Sequence, residues 1–158
     1  MLFLGLMVKE RYKELAAKYK LPPFELLNGE FEISTLDDDE FLLRNIKKRV
    51  QEHLETVQEY LSQILLPNPD SVVDMHECRY VSAEAKEKAF ELFKKTQSLI
   101  RSLQAASFSN EPAEDTILLS KLVAEWPVIK SDVVPLLRML KDAWQKDIDY
   151  KEELAYFG

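Results

Sequence analysis

The chain has 158 residues, 46% hydrophobic and 31% charged, with a net charge of −7. This fits one globular domain, 1–158, large enough to bury a core, and excludes a disordered chain. Three glycines, with neither GxGxxG nor GxxxxGK[ST], exclude the glycine-rich phosphate loops. The acidity argues against general nucleic-acid binding, and a single cysteine excludes an internal disulfide and points to a reducing, cytoplasmic setting.

Residues 1–8 are apolar but too short to span a bilayer, and they lack the basic flank and cleavage site of a signal peptide, so no membrane partner is expected. Met7 directly precedes a regular helical pattern, so residues 1–6 are expected to be an apolar extension or an upstream mis-start. Over Val8–Lys20, Val8, Tyr12, Leu15 and Tyr19 share a helical face, and Leu21-Pro22-Pro23 ends it. A short helix, Phe24–Asn28, follows. Gly29 is expected to close it, with Glu30–Ile33 as an extended connector.

Asp37–Leu66 (37–66) reads as one long central helix, roughly 45 Å at about 1.5 Å per residue. Asp37-Asp38-Asp39-Glu40 places acids where the helix start favours them, and Asp37 and Glu40 have capping-box spacing. Leu43, Ile46, Val50, Leu54, Val57, Leu61 and Ile64 recur at steps of three and four, which defines a core face. Lys47, Lys48, Gln51, Glu52, Glu55 and Glu59 are expected on the solvated side. Pro67 and Pro69 end the helix.

Ser71 and Asp74 have capping spacing, which predicts a short helix over Val72–Arg79. Ser82 suits the N-cap of Ala83–Ala106, where Ala85, Ala89, Leu92, Thr96, Leu99 and Leu103 form the stripe, widened by Phe90, Phe93 and Ile100. Pro112 fits the first turn of a further helix through Glu125. Pro127 is expected to interrupt it. Ile129, Val133, Leu136, Leu140 and Ala143 then continue at helical spacing, with Pro135 as a start or kink. The tail, 147–158, alternates acidic and apolar residues. The fold expected is all-α: an irregular bundle of about four principal helices around the central one, plus short N-terminal helices.

Asp74, His76 and Cys78, with Glu77 and His53 nearby in type, offer metal-ligand atoms, but their spacing matches no structural zinc motif, and on a helix His76 points away from Asp74 and Cys78. His53, at the edge of the core stripe, is expected to be a hydrogen-bonded boundary histidine. No Glu-x-x-His pair or HExxH motif occurs. Glu84-x-x-Glu87 and Glu111-x-x-Glu114-Asp115 resemble the acidic pairs of the MazG-type nucleotide pyrophosphohydrolases, departing at the final position, where Asp would be expected. That resemblance implies Mg²⁺ held between facing helices to clamp phosphates. Arg44, Lys47, Lys48 and Arg49 form a basic cluster without interleaved aromatics for base stacking. Trp144, Tyr150, Tyr156 and Phe157 supply apolar area amid acids, as a tail folded onto the bundle or as an amphipathic docking segment.

These features predict a non-catalytic protein-interaction module, self-associating or bound to a protein partner, with no cofactor. The alternative is a metal-dependent helical enzyme acting on a phosphorylated small molecule or nucleotide, with a divalent ion among facing carboxylates.

Overall fold

A computed structural model describes residues 2–37, 40–146, 151 and 154–155. The fold is all-α, and among the described residues six α-helices and no strand occur: α1 (Leu2–Tyr19), α2 (Phe24–Phe31), α3 (Leu42–Leu65), α4 (Val72–Glu77), α5 (Ala83–Ser109) and α6 (Pro112–Ala143). The chain divides into two compact units. One comprises Met1–Glu55 with Gln97–Val128, the other Thr56–Thr96 with Ile129–Gly158. The three long helices α3, α5 and α6 each supply residues to both.

In the first unit, α1 buries Val8 and Tyr12. The Tyr12 hydroxyl donates to the Pro22 carbonyl, and its burial raises its pKa above the usual phenol range. Lys20 adopts φ 57° and donates its N–H to the Ala16 carbonyl, so a left-handed cap ends α1 two residues before the proline pair. At the other end α1 begins at Leu2, so residues 2–6 of the expected apolar extension are helical. Gly5 sits against Ser34 at a spacing a Cβ would keep in ordinary contact.

Two expectations about α2 are corrected. Gly29 does not close the helix, and Glu30–Phe31 are helical, not extended. The turn ends at Glu32, which takes φ 50° and donates to the Asn28 carbonyl. The reason is packing: Phe31 is fully buried, so the helix runs on until that ring is delivered to the core. A 3₁₀ turn at Ile33–Thr35 follows, tied by the Ser34 N–H to Asn28 Oδ1 at 2.8 Å.

The central helix begins at Leu42, not at Asp37. Asn45 donates to the Phe41 carbonyl, so Phe41 holds the cap position and the acidic run precedes the helix. Asp38 and Asp39 lie outside the described residues. Leu42 is the first side chain of this stretch that the core takes, and the exposed Asp37 and Glu40 stay in water. Ile46, Val50, Leu54, Val57, Leu61 and Ile64 are buried as the spacing predicts, whereas Leu43, expected with them, is half-buried and Leu42 is buried instead. Lys47 is the exception on the supposed solvated side. It is buried, and its partner is described below.

In the second unit, Ser71 Oγ accepts from the Asp74 N–H at 3.2 Å and starts α4, and Ser82 Oγ accepts from the Ala85 N–H at 3.1 Å and starts α5. Both caps follow from sequence. Helix α5 runs to Ser109 and closes with Asn110 at φ 53°. Phe90 does not widen its buried stripe: it is exposed, with the Lys94 ammonium 5.9 Å from its ring centroid.

Pro127 does not interrupt α6. One helix spans Pro112–Ala143 with Pro127 and Pro135 inside it, so the two helical segments expected on either side of Pro127 are continuous. Each proline deletes one ladder bond and costs roughly 3 kcal/mol in a helix interior. Trp126, Ile129, Val133, Leu136 and Leu140 are all buried around them, and their burial at about 1.5–3 kcal/mol each outweighs that cost. No helix among the described residues is long and apolar enough to cross a membrane.

Candidate functional site

Asp74, His76, Glu77 and Cys78 sit together on α4 and the turn after it, yet each is committed to the fold. Asp74 Oδ2 accepts from the Asn68 N–H at 2.9 Å, bracing the loop into α4. His76 is buried, with its Nε2 2.8 Å from the Ala143 carbonyl at the end of α6 and its ring 4.2 Å from that of Trp144. Glu77 Oε2 accepts from Trp144 Nε1 at 3.0 Å. Cys78 Sγ is 3.3 Å from the Met75 carbonyl. Among the described residues, no three His, Cys, Asp or Glu side chains converge into a group able to hold a metal ion. The cluster joins the end of α6 to α4, which is a structural task.

Of the proposed interaction residues, Trp144 is half exposed, held by Glu77 on its nitrogen and His76 on its ring. Tyr150, Tyr156 and Phe157 lie outside the described residues.

His53 belongs to the first unit. Its Nδ1 is 2.9 Å from the Arg49 carbonyl, and its ring stands edge-on to Phe31 (5.1 Å, 83°) and to Trp126 (5.9 Å, 77°). Trp126 Nε1 donates to Glu30 Oε2 at 2.9 Å. This aromatic cluster locks α2 to α3 and α6, as a boundary histidine would.

The basic cluster is dispersed. Lys47 Nζ lies 2.8 Å from Asp115 Oδ1 and 3.5 Å from the Ala106 carbonyl, and the two side chains are 5% and 6% exposed. Arg49 closes the α2 end by donating to the Phe31 carbonyl at 3.1 Å and to Thr35 Oγ1 at 3.3 Å. The Arg44 guanidinium stands 4.9 Å from the Phe41 ring centroid. Lys48 is exposed beside these committed cations.

The two acidic pairs fall in different units. Glu111 and Glu114 belong to the start of α6 in the first: the Glu111 carbonyl accepts from the Glu114 and Asp115 N–H groups, and Glu114 accepts from the Ser109 hydroxyl. Glu84 and Glu87 belong to the second. There they line an open trough of about 770 Å³ with Lys88, Glu91 and Lys95 of α5 and with Ser131, Asp132 and Pro135 of α6, above Leu92 and Leu136. Glu84 pairs with Lys88 at 3.2 Å. The charged side chains that line it are exposed, except the half-buried Lys95.

Two surface features were not anticipated. The first is the start of α1, where Leu2, Phe3 and Leu6 are 94%, 80% and 65% exposed and Leu4 and Met7 nearly half so. The second is a groove of about 220 Å³ over Phe31 and Trp126, lined also by Glu25, Leu26, Gly29, Glu30, Val123 and Pro127. Glu25 pairs with Lys9 at 2.9 Å, and the hydrogen bond from Lys9 holds its carboxyl below the usual range. The apolar run of 2–7 is visible in the sequence; the groove, built by residues about 100 positions apart, is not.

Comparisons of the chain with protein families, with curated proteins and with solved structures gave no match. Function therefore has to be read from these surfaces.

Proposed function

We propose that the chain is a non-catalytic helical interaction module of the cytoplasm, and that the apolar start of α1 is a contact surface. One observation carries this reading: five apolar side chains stand in water on the first two turns of a formed helix. Contiguous exposed apolar surface on a folded protein is unfavourable alone and is characteristic of association sites. The test is sedimentation velocity of the purified chain, alone and mixed with an extract of its source cells, for wild type and for a Leu2→Glu/Leu6→Glu variant. The wild type is expected in a protein complex, and the variant is expected free with unchanged circular dichroism. A wild type that stays free in both settings overturns the reading.

A second reading attaches to the trough. Glu84, Glu87, Glu91 and Asp132 with Lys88 and Lys95 would suit a divalent ion and a phosphorylated ligand, as in a metal-dependent helical enzyme. Against it stands the exposure of its charges, since water weakens the electrostatics on which phosphoryl chemistry depends. A calorimetric titration with Mn²⁺, with and without a nucleoside triphosphate, is expected to give no saturable heat. A stoichiometric site lost in Glu84→Gln/Glu87→Gln would instead put the enzyme first.

A further inference from the structure

Gly29 lies inside α2, its φ is outside the left-handed region, and a Cβ added there would meet nothing within 4 Å. Neither backbone geometry nor packing within the chain requires glycine at this position, although glycine destabilises a helix interior relative to alanine. What the missing side chain leaves is open space in the groove of about 220 Å³ over Phe31 and Trp126. Its walls come from α2 and from α6 around Val123 and Pro127, all within the unit Met1–Glu55 with Gln97–Val128. A space of that size suits the end of one long side chain, not a helix.

The lining is of two kinds. Trp126 contributes an indole whose nitrogen already donates to Glu30 Oε2 at 2.9 Å, which fixes the ring. Glu25 and Glu30 contribute carboxylates on the α2 side. Glu25 is exposed and pairs with Lys9 at 2.9 Å, and the hydrogen bond from Lys9 keeps it ionised. A carboxylate has about four acceptor positions, so Glu25 can take a further donor beside Lys9. An aromatic ring with carboxylates at its edge favours a cation. The ring quadrupole attracts the charge, and the carboxylates accept its N–H groups. A nucleic acid or an anionic lipid would meet like charge there.

Among cations the lining selects a guanidinium. It is flat, weakly hydrated, and able to stack on an indole while its fork of donors reaches a carboxylate. An ammonium is a compact point charge that holds its water more strongly. A methylated ammonium calls for a cage of several aromatic faces, and here Phe31 is fully buried beneath the groove. We propose that the groove over Gly29 receives the side chain of an arginine from a protein partner, with its guanidinium against Trp126 and paired with Glu25. This contact rests on the interaction reading above but uses a surface other than the start of α1.

The test is a titration with N-acetyl-arginine methylamide, followed by the Gly29 amide and Trp126 indole N–H signals in isotope-labelled full chain. The wild type is expected to show saturable shifts at both, with a dissociation constant on the order of millimolar. The citrulline counterpart, which keeps the shape and lacks the charge, is expected to show none. Gly29→Leu fills the groove and is expected to abolish the response with unchanged circular dichroism. Gly29→Ala is expected to raise the melting temperature while weakening binding roughly threefold or more. A purely structural glycine would not separate those two readouts. Glu25→Gln is expected to weaken binding about threefold. Absence of saturable shifts overturns the proposal, as does an equal response to the citrulline compound or indifference to Gly29→Leu. The Leu2→Glu/Leu6→Glu variant should bind the arginine compound as the wild type does, so failure of the groove and failure of the α1 contact are separate results.

Discussion

Asp115→Ala is expected to cost about 3–5 kcal/mol of folding stability, the range for a buried ion pair that loses one partner. Lys47 would keep only the distant Ala106 carbonyl, and its ammonium would remain where water does not reach. The reciprocal change, Lys47→Met, should cost less. Asp115 sits in the first turn of α6, where unpaired amides and the positive end of the helix favour a carboxylate even without the lysine. Lys47→Met combined with Asp115→Leu is expected to recover most of the loss, because hydrophobic replacement of a buried pair is often neutral or stabilising. Urea midpoints with an unchanged slope would report these differences. If Asp115→Ala cost under about 1 kcal/mol, the pair would be behaving as a surface bridge and the burial argument would fail.

That pair also shows where sequence reading stops. Lys47 lies three residues before the buried Val50 and seven before the buried Leu54, so its Cβ belongs to the buried stripe. Its spacing was legible; its charge argued for solvent. What resolved the conflict was an aspartate 68 positions away, and helical periodicity does not carry pairings at that distance. The same limit applies to the two aromatic locks, Trp126 to Glu30 and Trp144 to Glu77, both made across long separations.

Local signals did better. The Ser71 and Ser82 caps and the Ile129–Ala143 register follow from hydrogen bonds and spacings within one helical turn, where sequence distance equals spatial distance. Proline and glycine misled for a specific reason. Each has a local cost that a single sequence displays, and each was read as a boundary. Pro127 is carried by buried neighbours on both sides, and Gly29 is carried past by the need to bury Phe31. Tertiary packing overrode the local preference in both places. As to the candidate site, the acidic pairs were visible as motifs, but their assignment to different units was not, and the groove depends on α6 passing α2.

Phe31→Ala is the second large effect, expected at about 3–5 kcal/mol, the usual cost of deleting a buried phenyl ring and leaving a cavity. Phe31 holds three elements at once. Its ring meets His53 of α3 edge-on and lies 5.2 Å from the Trp126 ring of α6, and its carbonyl accepts from Arg49. The backbone bond survives the substitution, so the loss should come from the ring contacts and the void. Phe31→Leu keeps most of the volume and should cost under about 1.5 kcal/mol. The emission of Trp126, read in a Trp144→Phe background, gives a local signal. In Phe31→Ala it should shift to the red before global unfolding, because α2 forms one wall of the groove over that indole and has lost its anchor. Loss of stability without that early shift would mean that α2 is held by Leu27 and Ile33 instead, and that the aromatic cluster fills space without positioning the groove.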